Sequence, residues 1–357
     1  AWWQEHRPAA VQVPVADLSV TDLRDVEDVL DVDTLGLQEA LARAIPAFGG
    51  KASHFSAFPH IDTYDIPYPK AFVIPIYYYH QFMVANGFFA RVEALLADPN
   101  FKNDPAVREA ELGKLRDDIR LAPLDATFAA ALDEKLDADF PGVRLRFRSS
   151  TNAEDLGGFT GAGLYQSATG DPADPLNSYA NAVRKVWSSV WRFRAFEERE
   201  YRSISHAEVG MAVLIHRSYP TEDASGVAIT ANIFDTLGVE PGFYINVQKG
   251  DTSVVLPPEG IVSDQFIYYF DMPGQPVVYL ARSSLVAPGE TVLTRGQLAT
   301  LGEALTAIHL YFNPVYGPNT PEHFFGMDVE FKFDTPAGGG ESQLVIKQAR
   351  PYPGRGR

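Results

Sequence analysis

The sequence predicts an α+β fold in two lobes, helix-rich at its N-terminal end and β-rich at its C-terminal end, with a cleft between them. Between residues 34 and 140 apolar residues recur mostly at helical spacing. From about residue 210 short runs of β-branched and aromatic residues dominate. A chain of 357 residues that is 46% hydrophobic and 12% aromatic can also build substantial cores, so disorder is not the default. We expect a lead-in segment over 1–47, an N-terminal lobe over 48–205 and a C-terminal lobe over 206–357.

The elements follow in order. The acids of DLRDVEDVLDVD, 22–33, read as a solvated lead-in. Leu35, Leu37, Leu41 and Ile45 then stand near helical spacing, with Asp33 or Thr34 as N-cap, in a helix that runs into FGGK, 48–51. KAFVIPIYYYHQFMVANG, 70–87, is a short strand and then a helix stopped by Gly87. Helices follow in FFARVEALLADP, REAELGKLRDDIRLA and DATFAAALDEKLDADF, and Pro141-Gly142 ends the series. VRLRFRS, 143–149, alternates as a strand, with Val143, Leu145 and Phe147 on one face and Arg144, Arg146 and Arg148 on the other. After the glycine-rich GGFTGAGLYQSATG comes one long helix over about 177–202. Strands are expected in GMAVLIHRS, SGVAITAN, FYINVQKG, FIYYF and PVVYLARS, then a helix over 294–313. A hairpin of MDVEFKF and QLVIKQAR closes the chain.

A net charge of −16 argues against a nucleic-acid or anionic-membrane surface, and no run of about 18 apolar residues predicts a membrane span. The absence of cysteine excludes disulfides, thiolate chemistry and Cys-based metal sites. We expect a cytoplasmic location. The chain starts at Ala1 without methionine and ends in PYPGRGR, so it reads as a piece of something longer. In so acidic a chain, clustered arginines suit a local anion; pairing with surface carboxylates is the bland alternative. Asp328 and Glu330, two apart on a strand, share a face and suit a hard cation such as Mg²⁺. A half-buried strand with its acids in water gives the same pattern. The hairpin brings Gln348 and Arg350 to the acids' end of the sheet, on a face that also carries Leu344 and Ile346; a plain salt bridge would look alike. Lys51, after two glycines, can bring an ammonium to phosphate, although FGGK is not a P-loop. GFTGAG, 158–163, reads as a flap or as a bland loop. The histidines show no metal spacing, and His206 is expected in a surface loop.

In series, FGGKAS, FVIPIYYYHQFMVANG, FRSSTNAEDL, GMAVLIHRSYP with SGVAITAN, DVEFKF and QARP resemble the nucleotide-binding domain of phosphoenolpyruvate synthase and pyruvate phosphate dikinase. Glucan-water dikinases and rifampin phosphotransferase share that domain. The likeness spans about 48–352. It implies an ATP-grasp fold with a nucleotide cleft, ATP and Mg²⁺ as ligands, cleavage of ATP to AMP, and phosphoryl delivery to a histidine on a separate swivelling domain. Matched by motif, Lys51, Arg148 and Arg350 serve as phosphate-binding catalytic residues, and Asp328 and Glu330 hold the metal. Gln348, Arg194, Ser149 and the flap glycines Gly161 and Gly163 serve the nucleotide. Two departures stand out. The phosphohistidine motif belongs beyond QARP, where this chain stops; ISHAE, 204–208, lies inside the ATP-binding domain instead. VQKGDTSVVLPPEG, 247–260, replaces a glycine-rich GLGE stretch and keeps one acid, Asp251. These departures suit the alternative reading, a degenerate nucleotide-binding or regulatory module without phosphotransfer.

Overall fold

A computed structural model describes residues 10–156, 159, 161, 163–219, 222–235, 239–317, 325–336 and 338–354. The start of the lead-in, positions 158, 160 and 162 of the expected flap, and the last three residues lie outside the described residues. The chain divides into two compact units. The first holds the chain up to Ser56 together with Lys70–Ser218, and the second holds Ala57–Pro69 and Tyr219–Arg357.

In the first unit, β1 (Arg24–Asp25) is followed by α1 (Val32–Leu35) and α2 (Leu37–Phe55). The N-cap expected at Asp33 or Thr34 falls elsewhere. Asp31 caps α1 by accepting from Thr34 N at 3.2 Å, and Gly36, at φ 73°, starts α2. A positive φ at the junction is cheap only for glycine, so one expected helix becomes two. Then come β2 (Ala71–Ile74), α3 (Ile76–Ala85), α4 (Phe88–Ala97), α5 (Pro99–Asn103), α6 (Pro105–Leu121) and α7 (Ala126–Asp139). Gly87, at φ 69°, separates α3 from α4 as expected. Strands β3 (Leu145–Thr151) and β4 (Ala168–Gly170) lead to α8 (Tyr179–Ser188), α9 (Phe193–Tyr201) and β5 (Met211–Arg217).

The single helix expected over 177–202 is broken by a 3₁₀ turn at Ser189–Trp191 and an extended Arg192. Ser188 and Ser189 donate their hydroxyls back to the carbonyls of Lys185 and Val186, at 2.9 and 2.6 Å, competing with the helical ladder. Trp187, Val190 and Trp191 are fully buried around the break. The strands form one antiparallel sheet in the order β1-β2-β5-β3-β4. Because β5 pairs centrally, between β2 and β3, the units part after Ser218 rather than near 205.

α2 does not end at FGGK but runs through it with a kink at Gly49 (φ 76°, ψ 166°). A Cβ at Gly49 would lie 2.4 Å from the carbonyl carbon of Ser150, and backbone cannot swing away. Gly49→Ala is therefore expected to destabilise the protein by at least about 2 kcal/mol, read as a lowered midpoint in urea unfolding. A change under a few tenths would show that the kink relaxes freely.

The second unit holds β6 (Ala224–Ile229), β7 (Phe243–Lys249), β8 (Asp264–Tyr268), β9 (Val277–Ala281), α10 (Arg295–Tyr316), β10 (Met327–Asp334) and β11 (Gln343–Pro351). Its antiparallel sheet has the order β11-β10-β6-β7-β8-β9. A capping box of Thr294 and Gln297 starts α10, which packs against β10 and β11. β10 alternates strictly, with Met327, Val329, Phe331 and Phe333 buried.

Candidate functional site

In the first unit the kink at Gly49 turns Lys51 toward the end of β3. Its Nζ donates to Ser149 O at 2.7 Å and to Glu154 Oε1 at 3.2 Å. Ser150 ties the two elements together: its hydroxyl donates to Phe48 O at 2.8 Å and accepts from Ala52 N at 2.9 Å. Glu154 Oε2 accepts from Thr151 N at 3.1 Å. The Lys51 and Glu154 side chains are 14% and 7% exposed, so the pair is largely out of water. Burial pushes the Glu154 carboxyl up, and Lys51 opposes that rise.

Glu154 was missed by motif reasoning. Its signal is the Thr151-x-x-Glu154 spacing, in which an acid three residues after a hydroxyl reaches back to a backbone N–H. Gly161, at φ 65°, closes over the same acid, since a Cβ there would sit 3.2 Å from Glu154 Cγ. Gly163, at φ 70°, has open space around it. Arg148 is 7% exposed on β3, one residue before Ser149. Arg194 is exposed on α9.

His206 is buried, against the expectation of a surface loop. Its Nδ1 accepts from Arg199 Nε at 3.0 Å, its Nε2 lies 2.9 Å from Glu200 Oε1, and its ring stacks on Phe196 at 3.9 Å. The fully buried Arg199 guanidinium requires an acceptor, which draws the imidazole inward, and burial pushes the His206 pKa down.

In the second unit β10 and β11 pair so that Asp328 stands opposite Arg350 and Glu330 opposite Gln348. Arg350 Nε and Nη2 both donate to Asp328 Oδ2, at 2.9 and 2.6 Å, which leaves Oδ1 outside the pair. A bulge follows. Phe331 stands opposite Ile346 and Phe333 opposite Leu344, so the register steps over Lys347. Leu344 and Ile346 therefore lie with the buried phenylalanines, not on the face of Gln348 and Arg350 as simple alternation predicts. Farther along β10, Lys332 pairs with Glu222. Burial pushes the Asp328 carboxyl up, Arg350 opposes it, and Glu330 adds to it. Two carboxylates and an amide on one rigid face, with an acid whose arginine does not cancel its desolvation, suit a hard divalent cation. Among the described residues no cluster of three or more His, Asp or Glu side chains could hold a metal unaided, and no helix is long and apolar enough to cross a membrane.

A helix-rich and a β-rich unit, each on an antiparallel sheet, are the architecture of a two-lobed ATP-grasp-like domain. The family model described as pyruvate phosphate dikinase, AMP/ATP-binding domain, matches residues 45–282, and the chain belongs to that family. It is similar to the phosphoenolpyruvate synthase of Aeropyrum pernix, 25% identical over 55% of this chain and 24% of that protein. It is also similar to a probable phosphoenolpyruvate synthase of Methanocaldococcus jannaschii, 28% identical over 47% of this chain and 14% of that protein. The chain thus spans about a quarter or less of the length of these two relatives.

Proposed function

We propose that the chain is the ATP-binding domain of a dikinase-type phosphotransferase that passes phosphate from Mg-ATP to a histidine on a carrier domain or partner, in the cytoplasm. The observation that carries this is the quartet on β10 and β11, where Asp328 and Glu330 face Arg350 and Gln348. In this reading Asp328 and Glu330 ligate the cation, Gln348 holds the nucleotide, and Arg350 orients Asp328 and turns toward phosphate oxygens. Lys51 and Arg148 bind phosphate from the first unit. Ser149 contributes the carbonyl that holds Lys51, and Gly161 and Gly163 allow the backbone to approach the nucleotide. Arg194, exposed on α9, would contact the nucleotide. The cation would neutralise charge on the phosphates, while the side chains position them and exclude water.

Calorimetric titration with a non-hydrolysable ATP analogue tests the reading. Binding should require Mg²⁺ and weaken at least about tenfold in Arg148→Ala and in Asp328→Asn, since each removes a charged contact. A folded chain that binds no analogue would sink it.

Two observations favour a second reading, a nucleotide-sensing module without phosphotransfer. Both Lys51 and Arg350 already hold carboxylates, Glu154 and Asp328, and Asp251 in the altered 247–260 segment is exposed. The formation of AMP when a histidine carrier is supplied separates the two.

A further inference from the structure

Arg146 of β3 and Arg144, just before that strand, have no part in that proposal, yet they line a cavity of their own. Arg144 and Arg146 stand beside Lys185 of α8 around a polar pocket of about 330 Å³ at the β4 edge of the first sheet, lined also by Ser167 and Thr169. That volume lies at the small end of ligand pockets, about 300–1,000 Å³. Arg146 Nη1 donates to Thr169 Oγ1 at 3.0 Å, which fixes its guanidinium along the wall. Lys185 Nζ donates to Asn177 Oδ1 at 2.6 Å, and an ammonium has three hydrogens to give. The ion pair of Arg144 with Asp171 is long, 4.0 Å, and its side chain is half exposed.

The two acids of the pocket are largely committed to the local turn. Asp174 accepts from Leu176 N at 2.9 Å and from Asn177 Nδ2 at 2.6 Å, and Asp171 Oδ1 accepts from Ala173 N at 2.9 Å. Three cations and two carboxylates thus line one small cavity, leaving it one positive charge in excess in a chain of net charge −16.

We propose that this pocket is a second anion site, binding the phosphate group of a compact phosphorylated metabolite, with Arg144 and Arg146 gripping the phosphate oxygens and Lys185 closing the charge. Two guanidiniums match the geometry of a phosphate better than any carboxylate-rich alternative. Gln166 and Ser167 also line the pocket, and their amide and hydroxyl would suit a ligand body that bears hydroxyls. The site does not depend on the nucleotide reading, since Arg148 is not part of its lining.

The test is titration of the whole chain with inorganic phosphate and with glycerol 3-phosphate at constant ionic strength, followed by calorimetry and by the thermal midpoint. Saturable binding is expected, tighter for the ester than for phosphate. Arg144→Gln/Arg146→Gln should weaken it at least about tenfold, and Lys185→Gln, on a helix surface, by a smaller factor. Circular dichroism of each variant guards against unfolding, and Arg146→Lys, which keeps the charge but not the fork, should lie between. A saturating non-hydrolysable ATP analogue should leave the affinity unchanged. Three results would overturn the proposal: no saturable binding, binding indifferent to the folded arginine and lysine variants, or competition by the analogue, which would assign the anion to the nucleotide's phosphates.

Discussion

Replacing Lys51 with methionine is expected to lower phosphotransfer by about 10²–10³-fold and to cost about 3–5 kcal/mol of stability. The first figure is that of removing one fixed donor from developing charge. The second follows from what is left behind. Glu154, 7% exposed, would keep only the Thr151 N–H and lose its counter-ion. Its carboxyl, already raised by burial, would rise further because the group that opposed the shift is gone. An acid with a raised folded pKa binds more protons folded than unfolded. Stability is therefore greatest below the unfolded carboxyl value and falls as pH rises through the folded one. Lys51→Met should accordingly regain stability on acidification. Lys51→Met/Glu154→Gln should recover most of the stability at neutral pH, because the orphaned charge is removed, while phosphotransfer stays low. Urea unfolding beside an AMP assay reads both. If the double variant recovers activity as well, Lys51 is a structural residue and its place in the phosphate site is lost.

Arg350→Ala should act on the second unit in a parallel way. Asp328 and Arg350 side chains are 16% and 23% exposed, so truncation strands a carboxylate that is only partly reached by solvent, and a loss of about 1–3 kcal/mol is expected. The larger effect is on the cation. Asp328 is already pushed up by burial and by Glu330, and without Arg350 it will be protonated over more of the pH range. If Asp328 ligates the cation as proposed, binding needs its ionised form, so affinity for the Mg²⁺-ATP analogue should climb with pH in Arg350→Ala and change far less in the unsubstituted chain. Phosphotransfer should fall by about 10²-fold or more. A variant whose affinity is as flat with pH as the parent's would mean that Arg350 does not govern Asp328.

Much of the fold was legible because the patterns are local. Three of the four helices over 88–139, the stop at Gly87, the alternation of β10 and the hairpin with β11 each follow from a few neighbouring residues, while the short α5 at Pro99–Asn103 was not expected. The failures share a cause. The helix over 177–202 breaks because Ser188 and Ser189 bond back to carbonyls while Trp187 and Trp191 are drawn into the core. The face assignment of Leu344 and Ile346 fails because one bulge reverses parity after Gln348. His206 read as exposed because its burial follows from that of Arg199, seven residues away, and an arginine cannot be recognised as buried from its own letter.

By itself the sequence determined the α+β class, most of the elements and the family, since composition, periodicity and ordered motifs survive without coordinates. Tertiary structure alone decided that Glu154 meets Lys51 across more than a hundred residues, that Arg350 spends two N–H groups on one oxygen of Asp328, and that Arg144 and Arg146 share a cavity with Lys185. Each of these depends on which distant backbone passes within about 3–4 Å, and that is set by long-range packing and strand register rather than by neighbours in the chain.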